Sequence, residues 1–397
     1  MKPLRILVGF TEPPLPFGGA AARWFYVLLH GLVERGHKVT AFAPCGKLQD
    51  IDKCRQLFPA PNFDLRLYPH PVRRGLRAKW ETLQRPYSYI FAPDLWRDLN
   101  AECNQGFDVL HLETTWSGWL GQGRDASRTV LNLHSLYDID LANEAVAGWS
   151  DRLHRRMRQQ AERSLLRSFP TLIALTPRLK EAIQPIAPGA RIHVVPLGLE
   201  LSLYPFLPME RRPSEPIVSV IGSMNWQPSF SAAVRLLTRL FPAIRARVPD
   251  ARLQIVGWEA RKALRAYLPQ PGVEVAENVA DARPYFERAG VFVYAPERGT
   301  GMKVKVLEAF AYGIPVVTTS EGVEGLPAVD GIHAGLSDTD EGLVESTVAL
   351  LGDRARQERQ RLAARELLNQ RCNPKVVLDA IETCYADLLA QRARPAA

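Results

Sequence analysis

The chain has 397 residues, of which 46% are hydrophobic and 23% are charged, and its formal net charge is +8. This length is too great for one ordinary core and suits two domains. The five cysteines form no CxxC motif and no Cys/His cluster, which predicts reduced thiols without a disulfide framework or a zinc site. Apolar runs are short and the first strand begins almost at once, so we expect no membrane span, no signal peptide and a cytoplasmic protein. The positive charge favours an anionic partner: a nucleotide, an acidic lipid surface or a nucleic acid.

Apolar runs alternate with helical patterns along most of the chain. Ala21–Glu34 places apolar residues at the helical period and is followed by Gly36, which predicts the first helix. The apolar runs are continuous, as in parallel strands covered on both faces. They predict strands at Arg5–Phe10, Val39–Pro44, Asp64–Tyr68, Asp108–Leu112, Thr129–His134, Thr171–Thr176, Ile192–Pro196, Ile217–Gly222, Arg252–Gly257, Val273–Glu277, Val291–Ala295 and Pro315–Thr318. This alternation predicts an α/β protein with two Rossmann-like, doubly wound parallel-sheet domains.

A proline-rich segment separates the two series of strands. Tyr204–Pro216 contains four prolines and no apolar period, which predicts a linker. We therefore expect a first domain over 1–204, a linker over 205–216 and a second domain over 217–373. A last helix is predicted from Pro374 to about Leu389, and the Ala/Arg tail from Gln391 is expected to be disordered.

The most informative stretch runs from Ala295 to Val317. A predicted strand ends in a glycine-bearing loop, and the loop opens a helix that Gly313 closes. Lys303, Lys305 and Glu308 lie in the first turns of this helix. The N–H groups and the helix dipole suit a diphosphate, the lysines add charge, and the glutamate can accept two ribose hydroxyls. The alternative is a solvated face, although the dipole disfavours cations at a helix start unless an anion is present.

A second loop should lie beside this helix, because both follow the carboxyl ends of strands in one sheet. It runs from Gly222 to Pro228 and leads into a predicted helix over Ser229–Arg247. The functional interpretation is a further part of the same phosphate site. The alternative is a helix cap by Asn or Ser with Trp226 in the core.

In the first domain, the candidate residues also follow strands. Gly18 and Gly19 precede the first helix, where they can let a sugar or phosphate approach the backbone or can simply make a tight turn. His134 ends a strand, and a substrate role and a core role are both open. Trp116 and Trp119 can stack on a sugar ring, but core packing is the safer interpretation. There is no GxGxxG and no Walker motif, which argues against dinucleotide and P-loop sites.

Two DxD pairs, Asp138/Asp140 and Asp338/Asp340, raise the question of a metal site. Such a pair can hold Mn²⁺ or Mg²⁺ on a sugar nucleotide. The spacing is common by chance, however, and Asp138 and Asp140 can instead act as caps at a helix N-terminus. We therefore expect no metal at either pair.

One helix is strongly basic on one side. In Arg152–Arg167, five arginines share a face opposite Leu153, Met157, Ala161 and Leu165. The predicted loop Arg73–Trp80 adds basic charge beside aromatic residues. This combination suits an anionic membrane surface, and the alternative is an ordinary solvated face. No RNA- or DNA-binding signature accompanies the charge, so we expect no nucleic-acid partner.

Several segments together resemble one known family. They are Pro14–His37, Asp108–His111, Leu131–His134, Val194–Glu200, Gly222–Pro228 and Gly301–Ala309. The chain is similar over nearly its whole length to the retaining glycosyltransferases of family 4, which have the GT-B fold of two domains facing an interdomain cleft. The resemblance implies a metal-independent enzyme whose C-terminal helix crosses back onto the first domain.

The resemblance also implies roles for individual residues. The implied catalytic residues are His134, Lys303 and Lys305. The implied donor-binding residues are Gly222, Ser223, Asn225, Thr300, Gly301, Met302, Lys303, Lys305 and Glu308. The implied acceptor-binding residues are Gly18, Gly19, Arg23, Trp116 and His134. Two features depart from the family. Thr300 stands where a glutamate is usual, and the usual Arg/Lys pair after the first strand of the second domain is absent, with Lys303 and Lys305 expected to supply its charge.

The resemblance implies transfer of a sugar from a UDP- or GDP-linked donor to a sugar or lipid-linked acceptor, with retention, in the synthesis of a polysaccharide, glycolipid or other glycoconjugate. The enzyme is expected to lie in the cytoplasm, with possible attachment to the inner face of the membrane. The alternatives are another GT-B enzyme, such as a sugar-nucleotide epimerase or a phosphorylase, and a non-catalytic partner that binds a nucleotide or a glycan.

Overall fold

The computed structural model describes residues 1–16, 18–46, 52, 54, 56–57, 62–72, 75–140, 148–297 and 299–392. The chain forms two compact units, each with one parallel sheet. The first unit comprises residues 1–138, 143–199 and 374–397, and the second comprises residues 139–142 and 200–373. The prediction of an α/β fold with two parallel-sheet domains is confirmed.

The first unit contains a seven-stranded sheet in the order β3-β2-β1-β4-β5-β6-β7, and all neighbouring strands are parallel. Its strands are β1 Arg5–Gly9, β2 Lys38–Cys45, β3 Phe63–Pro69, β4 Val109–Glu113, β5 Thr129–Leu133, β6 Thr171–Ala174 and β7 Arg191–Val194. The order reverses between β1 and β4. In open α/β sheets, ligands bind beyond the strand ends at such a reversal.

The described helices of this unit cover the sheet. They are α1 Ala20–Glu34, α2 Leu76–Gln84, α3 Pro93–Asn104, α5 Trp149–Ser168, α6 Pro177–Ile183 and α14 Pro374–Arg392. The short helix α4 Tyr137–Asp140 is divided after Asp138, and its residues 139–140 group with the second unit. The last helix packs on α1, where Leu378 lies against Gly31 and Glu382 accepts hydrogen bonds from Arg35 and His37. It continues to Arg392 rather than ending near Leu389. The tail expected to be disordered lies, from residue 393, outside the described residues.

The second unit contains a six-stranded parallel sheet in the order β10-β9-β8-β11-β12-β13. Its strands are β8 Ile217–Ile221, β9 Arg252–Gly257, β10 Val273–Glu277, β11 Val291–Tyr294, β12 Val316–Thr318 and β13 Gly335–Leu336. Its helices are α7 Gln227–Arg235, α8 Phe241–Arg247, α9 Ala260–Ala263, α10 Arg283–Arg288, α11 Val304–Ala311, α12 Asp340–Gly352 and α13 Arg354–Arg371. Strand β13 is absent from the predictions because two residues carry no pattern.

The helix predicted over Ser229–Arg247 has a defect in its middle. A π-helical turn over Leu236–Leu240 joins α7 to α8. Pro242 lies in the first turn of α8 and has no backbone N–H to donate. The ordinary ladder therefore cannot pass through this point, and the wider turn accommodates the break.

The segment predicted as a linker groups with the second unit from Glu200 onwards. The guanidinium of Arg361 in α13 lies 4.0 Å from the ring centroid of Phe206 and donates a hydrogen bond to the carbonyl of Gly313 at 2.9 Å. Arg354 donates to the carbonyl of Met209 at 2.6 Å. These arginines hold the proline-rich chain on the surface of the unit, which a composition-based interpretation does not reveal.

Candidate functional site

In the second unit, the loop after β8 lies directly beside the start of α11. A Cβ atom at Gly222 would lie 2.3 Å from Cε of Lys305 and 2.8 Å from its Cδ. The lysine side chain therefore crosses the α-carbon of Gly222, and a larger residue there would displace it. A Cβ at Gly257 would in turn lie 1.8 Å from the carbonyl oxygen of Gly222. The two segments that the sequence expects to be neighbours are in contact at Gly222.

The remainder of this loop differs from the alternative interpretation of a capped helix with a buried tryptophan. Trp226 is the residue that precedes α7, and no side chain of the described residues caps the helix. Its side chain is 36% exposed, so it is not in the core, whereas Met224 is buried. The alternative of an Asn or Ser cap with a buried Trp226 is therefore wrong. Asn225 is exposed and Ser223 is half-buried, which leaves both side chains at the surface of this loop.

The start of α11 carries the two predicted lysines in different environments. Lys303 precedes the helix and is 8% exposed, whereas Lys305 lies in the first turn and is half-buried. Nζ of Lys303 donates to the carbonyl of Gly301 at 2.6 Å and lies 3.5 Å from Oε2 of Glu324. Burial lowers the pKa of Lys303, and the carboxylates of Glu324 and Asp140 raise it in part. Lys303 is therefore held inside the protein by an acidic partner.

Glu324 also engages the backbone that the sequence assigns to phosphate. Its Oε1 accepts a hydrogen bond from the Gly301 N–H at 3.3 Å. Gly301 has φ +73°, which favours glycine and turns its N–H towards this carboxylate. In the described structure, the N–H and Lys303 contact a carboxylate instead of facing solvent. Glu324 was not found from the sequence, because it lies 23 residues beyond Gly301 and no local pattern marks it.

A second carboxylate lies against Thr300, where the family usually has a glutamate. Oδ1 of Asp140 accepts hydrogen bonds from the N–H of Thr300 at 2.6 Å and from its Oγ1 at 2.7 Å. Both residues are buried, as are Met302 and Glu308. The contact restores a carboxylate beside position 300, although it comes from a residue 160 positions away.

The DxD pair Asp138/Asp140 does not cap a helix as expected. Asp138 accepts from Gln159 and Arg163, and Glu162 accepts the N–H groups at the start of α4, so Asp138 and Asp140 are not the predicted caps. In the other pair, Asp338 accepts from Ser320 and Asp340 accepts from Arg235. Among the described residues, no cluster of three or more His, Cys, Asp or Glu side chains could hold a metal ion.

In the first unit, a buried carboxylate orients the predicted histidine. Glu113 ends β4 and is fully buried. Its Oε2 accepts from Nε2 of His134 at 2.6 Å, and its Oε1 accepts from Nε2 of His111 at 2.8 Å. Trp24 Nε1 and Asn132 Nδ2 also donate to it. Burial alone raises the pKa of Glu113, but the bonds from the two histidines lower it to about 2.

The hydrogen bonds fix the tautomers of both histidines, because a carboxylate only accepts. His134 donates through Nε2, and its ring is partly exposed at the end of β5. His111 also donates through Nε2, and its Nδ1 lies 2.6 Å from the hydroxyl of Tyr385, which donates to it. Burial raises the pKa of this hydroxyl. His134 is thus the exposed end of an otherwise buried network.

The glycine loop after β1 brings another carboxylate to this end of the sheet. Gly18 has φ +89°, and Gly19 precedes α1 with Arg23 one turn into the helix. A Cβ at Gly19 would lie 3.5 Å from each carboxylate oxygen of Glu12. Burial raises the pKa of Glu12, while the N–H of Ala22 and a charge on His134 lower it. Glu12 was not among the predicted residues, and its place immediately after β1 was the available signal.

The two tryptophans after β4 have separate roles. Trp119 is buried and donates to the carbonyl of Pro86 at 2.8 Å, which agrees with the core interpretation. Trp116 is half-buried, with its ring centroid 5.0 Å from that of Tyr87 and 6.0 Å from that of Tyr137. Trp116 therefore presents part of its ring at the edge of an aromatic cluster.

Comparisons with known proteins decide the family. Residues 17–203 match the description Glycosyltransferase Family 4, and residues 215–353 match Glycosyl transferases group 1. The chain belongs to the group 1, family 4 glycosyltransferases. None of the curated proteins matches it significantly in sequence.

Solved structures show the same fold for this glycosyltransferase. Sucrose-phosphate synthase from Thermosynechococcus elongatus has a TM-score of 0.71 at 18% identity, with 97% of this chain and 99% of that chain covered. HepE from Anabaena, in complex with UDP and glucose, has a TM-score of 0.65 at 14% identity, with coverage of 96% and 100%. WaaG, a glycosyltransferase involved in lipopolysaccharide biosynthesis, has a TM-score of 0.66 at 16% identity, with coverage of 96% and 99%. The GT-B prediction is confirmed.

The basic helix α5 of this glycosyltransferase does not separate arginines and apolar residues onto two faces as cleanly as predicted. Arg152, Arg156, Arg163 and Arg167 are exposed, but Leu153 on the expected apolar side is exposed as well. The predicted basic loop is in part the helix α2, and Arg73 and Arg74 lie outside the described residues. Among the described helices, none has the length and apolar content that a membrane span requires.

Proposed function

We propose that this glycosyltransferase moves a sugar from a UDP- or GDP-linked donor to a hydroxyl acceptor and retains the configuration at the transferred carbon. The observation that carries the donor assignment is the position of Lys305, which lies over Gly222 in the first turn of α11. At a helix start, a lysine side chain and the helix dipole favour phosphate oxygens. We assign Glu308, one turn further along α11, to the ribose hydroxyls. HepE, which has the same fold, is described in complex with UDP.

The proposed chemistry needs no nucleophile from the protein. The bond between the sugar carbon and the diphosphate oxygen breaks, and the acceptor oxygen forms its bond to the same face of that carbon. The acceptor proton passes to the departing diphosphate. The protein contributes chiefly by stabilising the negative charge that grows on the phosphates, for which we assign Lys305 first and Lys303 second. His134, oriented by Glu113, is assigned to substrate contact together with Gly18, Gly19, Arg23 and Trp116.

A non-catalytic partner that binds nucleotide remains the second candidate, because Thr300 replaces a usual glutamate. We expect the purified protein to release nucleotide from one member of a panel of UDP-, GDP-, ADP- and dTDP-sugars, faster when acceptor is added. Release is expected to continue in excess EDTA, since the carboxylates of both DxD pairs already have partners.

The assay separates the alternatives by its products. Binding of a nucleotide without release from any sugar nucleotide would favour the non-catalytic partner, and a converted sugar that stays on its nucleotide would favour an epimerase. Loss of release in EDTA, restored by Mn²⁺ or Mg²⁺, would contradict metal independence and return Asp138 and Asp140 to consideration as ligands.

Peripheral docking at an anionic membrane, such as the inner face of the cytoplasmic membrane, is a second part of the proposal. Leu76 and Trp80 in α2 and Trp149 and Leu153 in α5 are exposed apolar side chains on helices that contact each other. Exposed arginines flank them on α5. Apolar tips beside basic residues suit the boundary between lipid head groups and chains. WaaG, which has the same fold, acts in lipopolysaccharide biosynthesis.

We expect the protein to float with anionic liposomes but not with neutral ones at low salt. Each basic residue near such a surface contributes about 1 kcal/mol, and the attraction should fade as the Debye length falls from about 10 Å at 0.1 M salt to about 3 Å at 1 M. Changing Arg152 and Arg156 to alanine should reduce flotation. Changing the exposed Arg252 and Arg265 of the second unit should not. Equal flotation with both lipids at low salt would reject electrostatic docking and favour a soluble acceptor.

A further inference from the structure

A large cavity opens in the first unit at some distance along the chain from the predicted site residues. Its volume is about 770 Å³, and it lies between α2, the turn over Ser88–Ile90 and α5. This volume is in the range of pockets that hold small molecules. Apolar and aromatic side chains form much of its wall, including Leu83, Met157, Tyr87 and Tyr89. The exposed apolar residues of α2 and α5 belong to the same two helices.

The wall of this cavity carries basic side chains. Lys79, His154 and Arg158 line it, and no acidic residue is among the described residues of its wall. The guanidinium of Arg158 lies 5.1 Å from the ring centroid of Tyr137, which anchors it beside the aromatic cluster that includes Trp116. An occupant that suits both parts of the wall has an apolar body and a negative group. A free sugar or a nucleotide offers no apolar chain to match Leu83 and Met157.

We infer that this cavity binds the hydrocarbon chain of an anionic, lipid-linked acceptor, with its phosphate against Lys79 and Arg158. The inference rests on the proposed function, and it narrows the acceptor to a single-chain amphiphile that carries a phosphate. Exposed apolar tips on α2 and α5 would contact the membrane from which such a chain enters. The aromatic cluster at Tyr87 connects the cavity to Trp116, which is assigned to the acceptor.

The experiment measures binding of a monomeric probe without any donor. Decyl phosphate is titrated into the full-length protein below its micelle concentration and followed by calorimetry, with inorganic phosphate and decyl maltoside as separate arms. We expect saturable binding of one decyl phosphate, at least tenfold weaker binding of decyl maltoside, and none of inorganic phosphate at the same concentrations. Met157→Glu should weaken decyl phosphate binding at least tenfold, and Met157→Leu, which keeps volume and polarity, should not.

Two further variants keep the result decisive. Leu362→Glu adds the same charge at an exposed site of the second unit and should bind decyl phosphate as the wild type does. If Met157→Glu does not fold, Ala78→Trp fills the cavity from α2 and should also abolish binding. Unchanged binding in a folded Met157→Glu or Ala78→Trp protein, or uptake without saturation, would overturn the inference. The binding measurement contains no sugar-nucleotide donor. Its result therefore does not depend on whether the protein transfers a sugar, and the two proposals can fail independently.

Discussion

Glu113→Ala is expected to destabilise the first unit by about 3–5 kcal/mol, the range found when one partner of a buried charged pair is removed. The carboxylate is fully buried and accepts hydrogen bonds from His111, His134, Trp24 and Asn132. Its loss would leave these buried donors without their acceptor. Glu113→Gln is the matched control, since it keeps the shape and one acceptor oxygen and should cost less.

Hydrogen exchange at the amides of β4 and β5 is the appropriate measurement, because a chain of two units need not unfold in one step.

The same measurement, repeated at several pH values, tests the charge of Glu113. The pKa of about 2 in the folded protein lies below the ordinary value of 4.5. Its contribution is therefore present above about pH 4.5 and is lost as the pH falls towards 2. The difference in protection between wild type and Glu113→Gln should shrink over that window. A difference that is constant across it would show that folding does not lower the pKa of Glu113.

A kinetic measurement distinguishes a role of Glu113 in positioning His134 from its contribution to stability. If Glu113 holds the tautomer of His134, Glu113→Gln should lower kcat/KM in conditions where the variant is fully folded, because an amide can donate a hydrogen bond where the carboxylate only accepts. A variant that is folded and has the wild-type kcat/KM would leave Glu113 with a structural role alone.

Lys305→Ala is expected to weaken donor binding by about 1.5–3 kcal/mol, which corresponds to roughly 10- to 150-fold in the dissociation constant. The reason is the loss of one charge-assisted contact to phosphate at the start of α11. Glu308→Gln should weaken binding of nucleosides more than that of pyrophosphate, because its proposed partners are the ribose hydroxyls. Gly222→Ala should have an effect similar to that of Lys305→Ala, since a Cβ there would displace the lysine side chain.

Calorimetry with UDP, GDP, ADP and dTDP measures these effects and ranks the bases. Lys262→Ala is the matched control, because it removes the same charge from an exposed position in the same unit. Wild-type donor affinity and turnover in both Lys305→Ala and Glu308→Gln would refute the donor assignment. An equal loss in Lys262→Ala would attribute the effect to net charge instead of a contact.

Sequence periodicity was sufficient for most of the fold. Continuous apolar runs gave the strands of both sheets to within one or two residues, because strands buried on both faces have few polar positions. The π turn in the helix after β8 was not predicted, since it depends on how the chain accommodates Pro242. The short strand β13 and the packing of the proline-rich segment on Arg361 depend on distant residues, and they leave no local pattern.

The candidate site was predictable where its residues are close in sequence. The contact between Gly222 and Lys305 follows from the rule that strand ends of one sheet share an edge. The contacts of Glu324 with Gly301 and of Asp140 with Thr300 join residues far apart in the chain, so periodicity could not find them. The sequence pattern around Glu113 does indicate a buried polar site. Glu113 alternates with His111 in a strand that is otherwise apolar, and a buried charge requires partners.

Gly222, which lies beneath Lys305, and its neighbour Gly257 restrict how this enzyme can be redesigned. Gly222 accommodates a lysine side chain over its α-carbon, while its own carbonyl occupies the space of a side chain at Gly257. The two positions are therefore linked, although they lie in different segments of the chain. A combinatorial library that seeks a new sugar-nucleotide preference should keep both glycines constant and vary the exposed Asn225 and Trp226. In library members that change either glycine, the Lys305 side chain would be displaced from its position. A change in sugar-nucleotide preference could then not be selected.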